Sequence, residues 1–457
     1  MEADLVPESC TVMDFGCGRG DDLKRLRRRG YDAVGWDPTF KPAGPRRESD
    51  VVNLGYVLNV IESGPERTRV LREAWVLAKK VLVVSALITV DMRSNVVPFA
   101  DGTVSVHGTF QKYYDQKELE NFLRSTLEVE PVALGPGVFA IVREVSERAE
   151  LRASRFRSRC RPLHQRDAQV LLKENEEALL PLVSFVERHG RLPVGVEKEG
   201  FSAAVDRFGS FGRAARIVRE TTPVAAWESA ARRVKDDLLV FLALARFSDR
   251  PRLTDLSVGL QADIKAHFGS YRGALDVADQ ALFDLGRPEA IVQAVRGAPF
   301  GKKMPAFFYV HADGLDALPL TLRLYEGCAR TYLGRVQGAN IIKLGLRERT
   351  VSYLHYPDFD RQGHPALRES LSVDLQTFRG RWTDYSNREN PPVLHRKELF
   401  VPVDYPGRLK FKRLTEREEK LGLLGVGASG IGTMREWEGV LRRANVKIRG
   451  HAIASGK

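Results

Sequence analysis

Thr11-Val12-Met13-Asp14-Phe15-Gly16-Cys17-Gly18-Arg19-Gly20-Asp21-Asp22 is the stretch on which the fold turns. A β-prone apolar run enters a glycine-rich turn, and Leu23 and Leu26 beyond it have the spacing of one helix face. Glycines at 16, 18 and 20 let the chain turn tightly and bring backbone close to a ligand where a Cβ would clash. Working outward, residues 33–36 read as a second strand ending in Gly35-Trp36-Asp37-Pro38, with Asp37 21 positions after Gly16. A carboxylate at that distance suits hydrogen bonds from both ribose hydroxyls of a bound nucleoside. The loop spells D-x-G-x-G-x-G rather than the dinucleotide pattern G-x-G-x-x-G, and Asp21 and Asp22 follow it at the helix start. Two carboxylates there repel a pyrophosphate and tolerate a cationic sulfonium, which favours S-adenosylmethionine over NAD or ATP.

Further strands are expected at 50–54, 81–88 and Val138–Val142, alternating with helical patterns. Such alternation predicts an α/β, Rossmann-like doubly wound N-terminal domain over 1–146. Only twelve residues (38–49) separate Asp37 from Asp50, too few for a helix plus a third strand, so a shortened sheet is expected. A basic linker, 147–167, follows; its 152–166 stretch has six arginines and no acid, the composition of a solvated segment or of one tracking phosphates. Residues 168–294 read as a helical domain with a duplicated unit. Phe208-Gly209-Ser210-Phe211 recurs 60 positions later as Phe268-Gly269-Ser270-Tyr271. In each copy the glycine permits a turn and the serine can cap the next helix. Long helices are expected upstream of the two copies, at 179–188 and 238–247. The pair is either a packing unit or a means of presenting helices to a duplex. Residues 295–457 read as a C-terminal α+β domain, with a helix near 318–336 and strands near 340–344 and 351–354.

The 457 residues carry a net charge of +12, with 52 arginines against 19 lysines, which favours an anionic partner. The apolar runs are far shorter than the ~20 residues that span a bilayer, so no membrane association is expected. Four scattered cysteines without Cys-x-x-Cys fit a reducing cytoplasm and exclude a disulfide scaffold.

The glycine loop, the acid at Asp37 and the run Asp50-Val51-Val52-Asn53-Leu54-Gly55-Tyr56 resemble class I S-adenosylmethionine-dependent methyltransferases. The resemblance implies that Asp14 orders the loop, and that Gly16, Gly18 and Gly20 lie against the cofactor. It further implies that Asp37 holds the ribose and that Asn53 and Leu54 border the sulfonium. Across 11–453, the phrases Gly108-Thr109-Phe110-Gln111-Lys112-Tyr113-Tyr114, Tyr356-Pro357-Asp358-Phe359-Asp360 and Asn390-Pro391-Pro392-Val393-Leu394-His395-Arg396-Lys397-Glu398 resemble the DNA phosphorothioation-associated methyltransferase family. Membership would imply association with machinery that places sulfur in the DNA backbone, with DNA as target or partner. The family has a further segment ahead of the glycine loop where this chain has ten residues, so a cap over the cofactor is expected to be missing.

For the acceptor, no cysteine follows a proline, which argues against cytosine-C5 chemistry. Asn53 and Tyr56 have the spacing of an amine clamp at the fourth-strand position of the family, though without its prolines, and are the candidate catalytic residues. Asn390-Pro391-Pro392-Val393 matches more letters but lies far from the nucleotide fold and reads as a decoy. His107, Gln111, Lys112 and Tyr113 are candidates for substrate contact, Lys112 on a phosphate and Tyr113 on a base. His355, Asp358, Asp360 and His364 read as hydrogen-bonded turn residues rather than a metal site, and His395, Lys397 and Glu398 complete no nuclease motif. Two other readings fit the same residues: a non-catalytic DNA-binding protein using the fold as scaffold, and a small-molecule or RNA methyltransferase.

Overall fold

Strand β1 (Thr11–Phe15) is flanked by β2 (Asp32–Trp36) and β3 (Ser49–Gly55), both parallel to it. Beyond β3 lie β4 (Ala78–Ser85), parallel, and then the antiparallel β9 (Val138–Val142) and β8 (Val132–Gly135). The sheet order is β2-β1-β3-β4-β9-β8, so β2 is the edge strand among the described residues. The short span between Asp37 and Asp50 produces this shortened sheet, as expected. The computed structural model describes residues 9–89, 96–105, 108–158, 176–424 and 431–455.

Strand parity sets the two faces. Met13 and Phe15 of β1, with Val52 and Leu54 of β3, bury among residues of α2 (Gly64–Leu77) and α3 (Gln116–Leu127). Val12 points to the opposite face and packs with Leu23, Leu26 and Ala33 against α1 (Asp21–Arg28). Helices on both faces bury each strand from two sides, which is why these strands are near-continuous apolar runs. Alternation also puts Asp14 and Asn53 opposite in parity to the core residues beside them.

Between β4 and α3 the chain forms a small antiparallel sheet of β5 (Val96–Phe99), β6 (Gly102–Ser105) and β7 (Phe110–Gln111), which the sequence reading did not foresee. Residues 1–143 and 287–457 count as one compact unit and 144–286 as another. Within the first unit, Gln116 Nε2 donates to Tyr332 O at 3.1 Å and Arg335 N to Leu134 O at 2.9 Å, tying helix Leu320–Leu333 to the edge of the Rossmann-like sheet. The rest of this unit is built on an antiparallel meander running in order from β10 (Lys302–Lys303) to β15 (Gly380–Asp384).

In the second unit each repeat is a three-helix element. Helices Glu176–His189, Ser202–Phe208 and Phe211–Thr221 form the first; Val224–Leu244, Val258–Phe268 and Tyr271–Asp284 form the second. Gly209 and Gly269 both have φ +75°, and Ser210 and Ser270 accept hydrogen bonds from Arg213 N and Gly273 N. The glycine turn and serine cap read from the sequence are thus present in both copies. Among the described residues no helix is long and apolar enough to cross a membrane.

Candidate cofactor site

The carboxyl ends of β1, β2 and β3 gather the residues of the glycine loop. Gly16 N and Cys17 N both donate to Trp36 O, at 2.8 and 3.0 Å, and Gly20 N closes the turn on Cys17 O. Gly16, Gly18 and Gly20 have φ of +81°, +50° and +84°. Gly16 is doubly constrained, because a Cβ there would lie 2.4 Å from Val57 Cγ2. At Gly18 the same construction meets nothing within 4 Å, so the loop borders open space on that side.

Asp37 faces this turn. Its Oδ2 accepts from Gly18 N at 3.0 Å, and its Oδ1 accepts from Thr39 N and Phe40 N at 2.9 and 2.8 Å. Desolvation pushes the Asp37 pKa up, but the three backbone donors outweigh it and hold the carboxyl below the usual range, so it is ionised at neutral pH. A carboxylate offers about four acceptor positions. Three are occupied by these backbone donors, which leaves one on Oδ2.

Asp14 and Asn53 are register partners, and Asn53 Nδ2 donates to Asp14 Oδ1 at 2.8 Å. Burial raises the Asp14 pKa, the Asn53 bond opposes that rise, and the charges of Asp22 and Asp37 add to it. Asn53 therefore supports the acid behind the loop through its amide nitrogen. Leu54 is fully buried with the core side chains of β1 and β3, so only its backbone can border a cofactor. Tyr56 holds φ +58°, its N–H donates to Ser85 O at 2.7 Å, and its side chain is 56% exposed. A left-handed tyrosine costs on the order of 1–3 kcal/mol, and such strain concentrates at functional sites.

The substrate candidates separate. His107 lies outside the described residues. Lys112 is buried, with its Nζ 2.7 Å from Glu118 Oε1 and 3.3 Å from Asp101 Oδ2, and donating to Asp101 O. Asp101 also pairs with the buried Arg67 of α2. Lys112 thus anchors the β5–β6 turn through internal partners. Gln111 sits beside it with a buried Oε1 that no donor among the described residues satisfies, and Tyr113 is half-buried. The sequence reading missed Asn59, which is 1% exposed. Its Nδ2 donates to Lys112 O and Leu87 O, and its Oδ1 accepts from Leu87 N. The signal was there: one amide inside the apolar run Val57-Leu58-Asn59-Val60-Ile61.

The C-terminal residues come together only in part. Asp360 accepts from Tyr405 Oη at 2.9 Å, while His364 packs against His395 and Trp437 and faces Glu418 Oε1 at 2.9 Å. No group of three or more metal-ligating side chains assembles among the described residues. Lys397 Nζ is buried, donating to Phe359 O and Gln362 O and meeting His451 Nε2 at 2.8 Å. Asn390 Oδ1 accepts from Arg435 N and Pro391 O from Met434 N, so Asn390 and Pro391 cap helix Met434–Arg443.

No family model matches the chain, and no curated protein does. Among solved structures, it is similar to the 1,6-didemethyltoxoflavin-N1-methyltransferase of Burkholderia thailandensis, solved with 1,6-didemethyltoxoflavin and S-adenosylhomocysteine. Identity there is 14% over 30% of this chain and 71% of that one, with a TM-score of 0.25. It is also similar to a sugar N-methyltransferase from Streptoalloteichus, at 17% identity over 31% of this chain and 82% of that one, with a TM-score of 0.25. A third is an S-adenosylmethionine-dependent methyltransferase from Mesorhizobium loti, at 15% over 27% and 76%, with a TM-score of 0.20. The strand order by itself makes the N-terminal region an α/β, Rossmann-like domain.

Proposed function

We propose that this chain is an S-adenosylmethionine-dependent methyltransferase that uses DNA as target or partner, in association with machinery that puts sulfur into the DNA backbone. The observation that carries the cofactor reading is the Gly18 N–H to Asp37 bond across the ends of β1 and β2. It sets an ionised acceptor beside a loop with open space in front of it. Asp37 holds one ribose hydroxyl, the Gly16–Gly20 backbone lies along the methionine end, and Asn53 steadies Asp14 behind the loop. Phe40, 58% exposed next to Asp37 and with the Arg19 guanidinium over its ring, offers a surface for a purine on the side where the sheet has no further strand among the described residues. When bound, the cofactor supplies an electrophilic methyl on a sulfonium. Tyr56 at the end of β3 presents an aromatic face to the acceptor, and the β5–β7 sheet, fixed by Lys112, Asp101, Arg67 and Asn59, bounds the same edge.

The DNA partner is supported by the +12 charge, the duplicated helical unit and the family resemblance. Calorimetric titration tests the cofactor: the native chain binds S-adenosylmethionine and Asp37→Ala weakens it at least about tenfold, the worth of one charge-assisted hydrogen bond. No binding to the native chain overturns the reading and leaves a scaffold. Transfer of labelled methyl to duplex DNA with and without backbone sulfur, with RNA and small-molecule extracts as competitors, identifies the acceptor.

A further inference from the structure

The duplicated helical unit has two copies of the same architecture and opposite charge on the helix that follows each glycine-serine turn. In helix Phe211–Thr221, Arg213, Arg216 and Arg219 are exposed, while Ala214, Ala215 and Val218 are buried. Residues three apart share one side of a helix, so these guanidinium groups form a stripe opposite the buried face. The positions 60 further on are Gly273, Asp276 and Asp279. Over the whole matched span the contrast holds. Residues 198–220 carry five Lys or Arg (Lys198, Arg207, Arg213, Arg216, Arg219) against three acids (Glu199, Asp206, Glu220). Residues 258–280 carry two (Lys265, Arg272) against three (Asp263, Asp276, Asp279).

Two of the three acids of the second copy work internally. Asp279 pairs with Arg250 at 2.5 Å and Arg246 at 2.8 Å, and buried Asp263 holds Arg191 at 2.7 Å and His189 at 3.0 Å. The second copy therefore spends its charge on binding the unit's own arginines. The first copy's stripe is committed far less: Arg216 lies 3.8 Å from the exposed Glu220, and Arg219 lies 5.8 Å over the Trp227 ring. An exposed pair of this kind contributes little and yields readily to a phosphate.

We infer that the first copy, through Arg213, Arg216 and Arg219, is the surface that contacts the phosphate backbone of duplex DNA, and that the second copy is its structural support. This rests on the DNA partner proposed above. Three guanidinium groups on one helix face suit a polyanion with closely spaced charges, and their contribution is salt-dependent because each phosphate contact releases counterion.

The test is fluorescence anisotropy of a labelled 20-base-pair duplex with the full chain across a salt series. Arg213→Gln/Arg216→Gln/Arg219→Gln should weaken binding by about tenfold or more and cut the log–log salt slope by about three, near 0.9 per phosphate contact. The lysine triple, R213K/R216K/R219K, should restore the slope, which a merely structural role would not. The second-copy control, K265Q/R272Q, should change affinity less than about threefold. If the native chain binds duplex and the glutamine triple binds equally well with an unchanged slope, the surface lies elsewhere and this inference falls while the DNA partner stands. If the native chain shows no duplex binding at low salt, the DNA partner itself falls, and this assignment with it.

Discussion

Asn53 and Asp14 sit opposite one another on neighbouring parallel strands, and the asparagine's Nδ2 donates to the aspartate's Oδ1 at 2.8 Å. The carboxyl is 3% exposed and the bond is its side-chain support, so the pair sets the charge state behind the glycine loop.

Asn53→Ala should destabilise the chain by about 1–3 kcal/mol, the cost of leaving a buried acceptor without its donor. Asp14 also has a pKa raised in the folded state, mainly by burial. Its folded form therefore holds a proton more readily than the unfolded form. Its contribution is fully present at low pH and is lost as pH rises from the unfolded value through the folded one. Asp14→Asn should remove that loss and be at least as stable as the native chain at pH 7. Urea midpoints at pH 4 and pH 7 check both.

Gly16→Ala meets two obstacles, a left-handed backbone and Val57 Cγ2 at 2.4 Å from the new carbon. The chain should lose stability, and S-adenosylmethionine binding with it. Adding Val57→Ala removes the clash but leaves about 1–2 kcal/mol of backbone cost. The double variant should recover part of the thermal midpoint, and full recovery would show that φ is not a constraint there.

Lys112→Gln separates an internal role from a phosphate contact. The ammonium is held by Glu118 and Asp101 with the side chain 8% exposed. Its removal should lower the melting temperature while the salt slope of duplex binding stays as in the native chain. A reduced slope would return Lys112 to the DNA surface.

Glu418→Gln should reverse sign with pH. Burial raises the Glu418 pKa to about 8 from an ordinary 4.5, while burial lowers those of the neighbouring His364 and His395 to about 3. The glutamate's contribution is present below 4.5 and lost as pH climbs through 8, so the glutamine should be more stable than the native chain at pH 9. The histidines act oppositely: their contribution is lost as pH falls from 6.5 toward 3. Denaturation midpoints at pH 5, 7 and 9 separate the two.

The sequence made β1, its glycine turn and the acid after β2 legible because their signals are local. A strand propensity, three glycines and one carboxylate lie within 27 residues (11–37). The missing strand beyond β2 was equally legible, being a matter of chain length. The side chain of Leu54 is withdrawn from the loop by strand parity. Once Val52 faces the core, residue 54 must face it too, and Asn53 must face the other way. The partners of Lys112 were hidden for a different reason: Asp101 and Glu118 reach it from a hairpin turn and from helix α3, which only the tertiary fold brings together. The Asn390-Pro391-Pro392 cap has the same origin, since the helix it closes begins 44 residues after Asn390.

The outer position of β2 also bears on how the chain behaves in a crowded solution. An uncovered outermost strand offers its peptide groups to any second chain that can zip onto it. Here the segment 38–48 folds back alongside: Asp37 and Lys41 exchange backbone hydrogen bonds, and a Cβ on Gly44 would lie 2.3 Å from Gly35 O. Arg47 is paired with Asp32 of the strand itself, which adds charge to the flank. The same short connection that costs the sheet a strand therefore acts as a guard for its open edge.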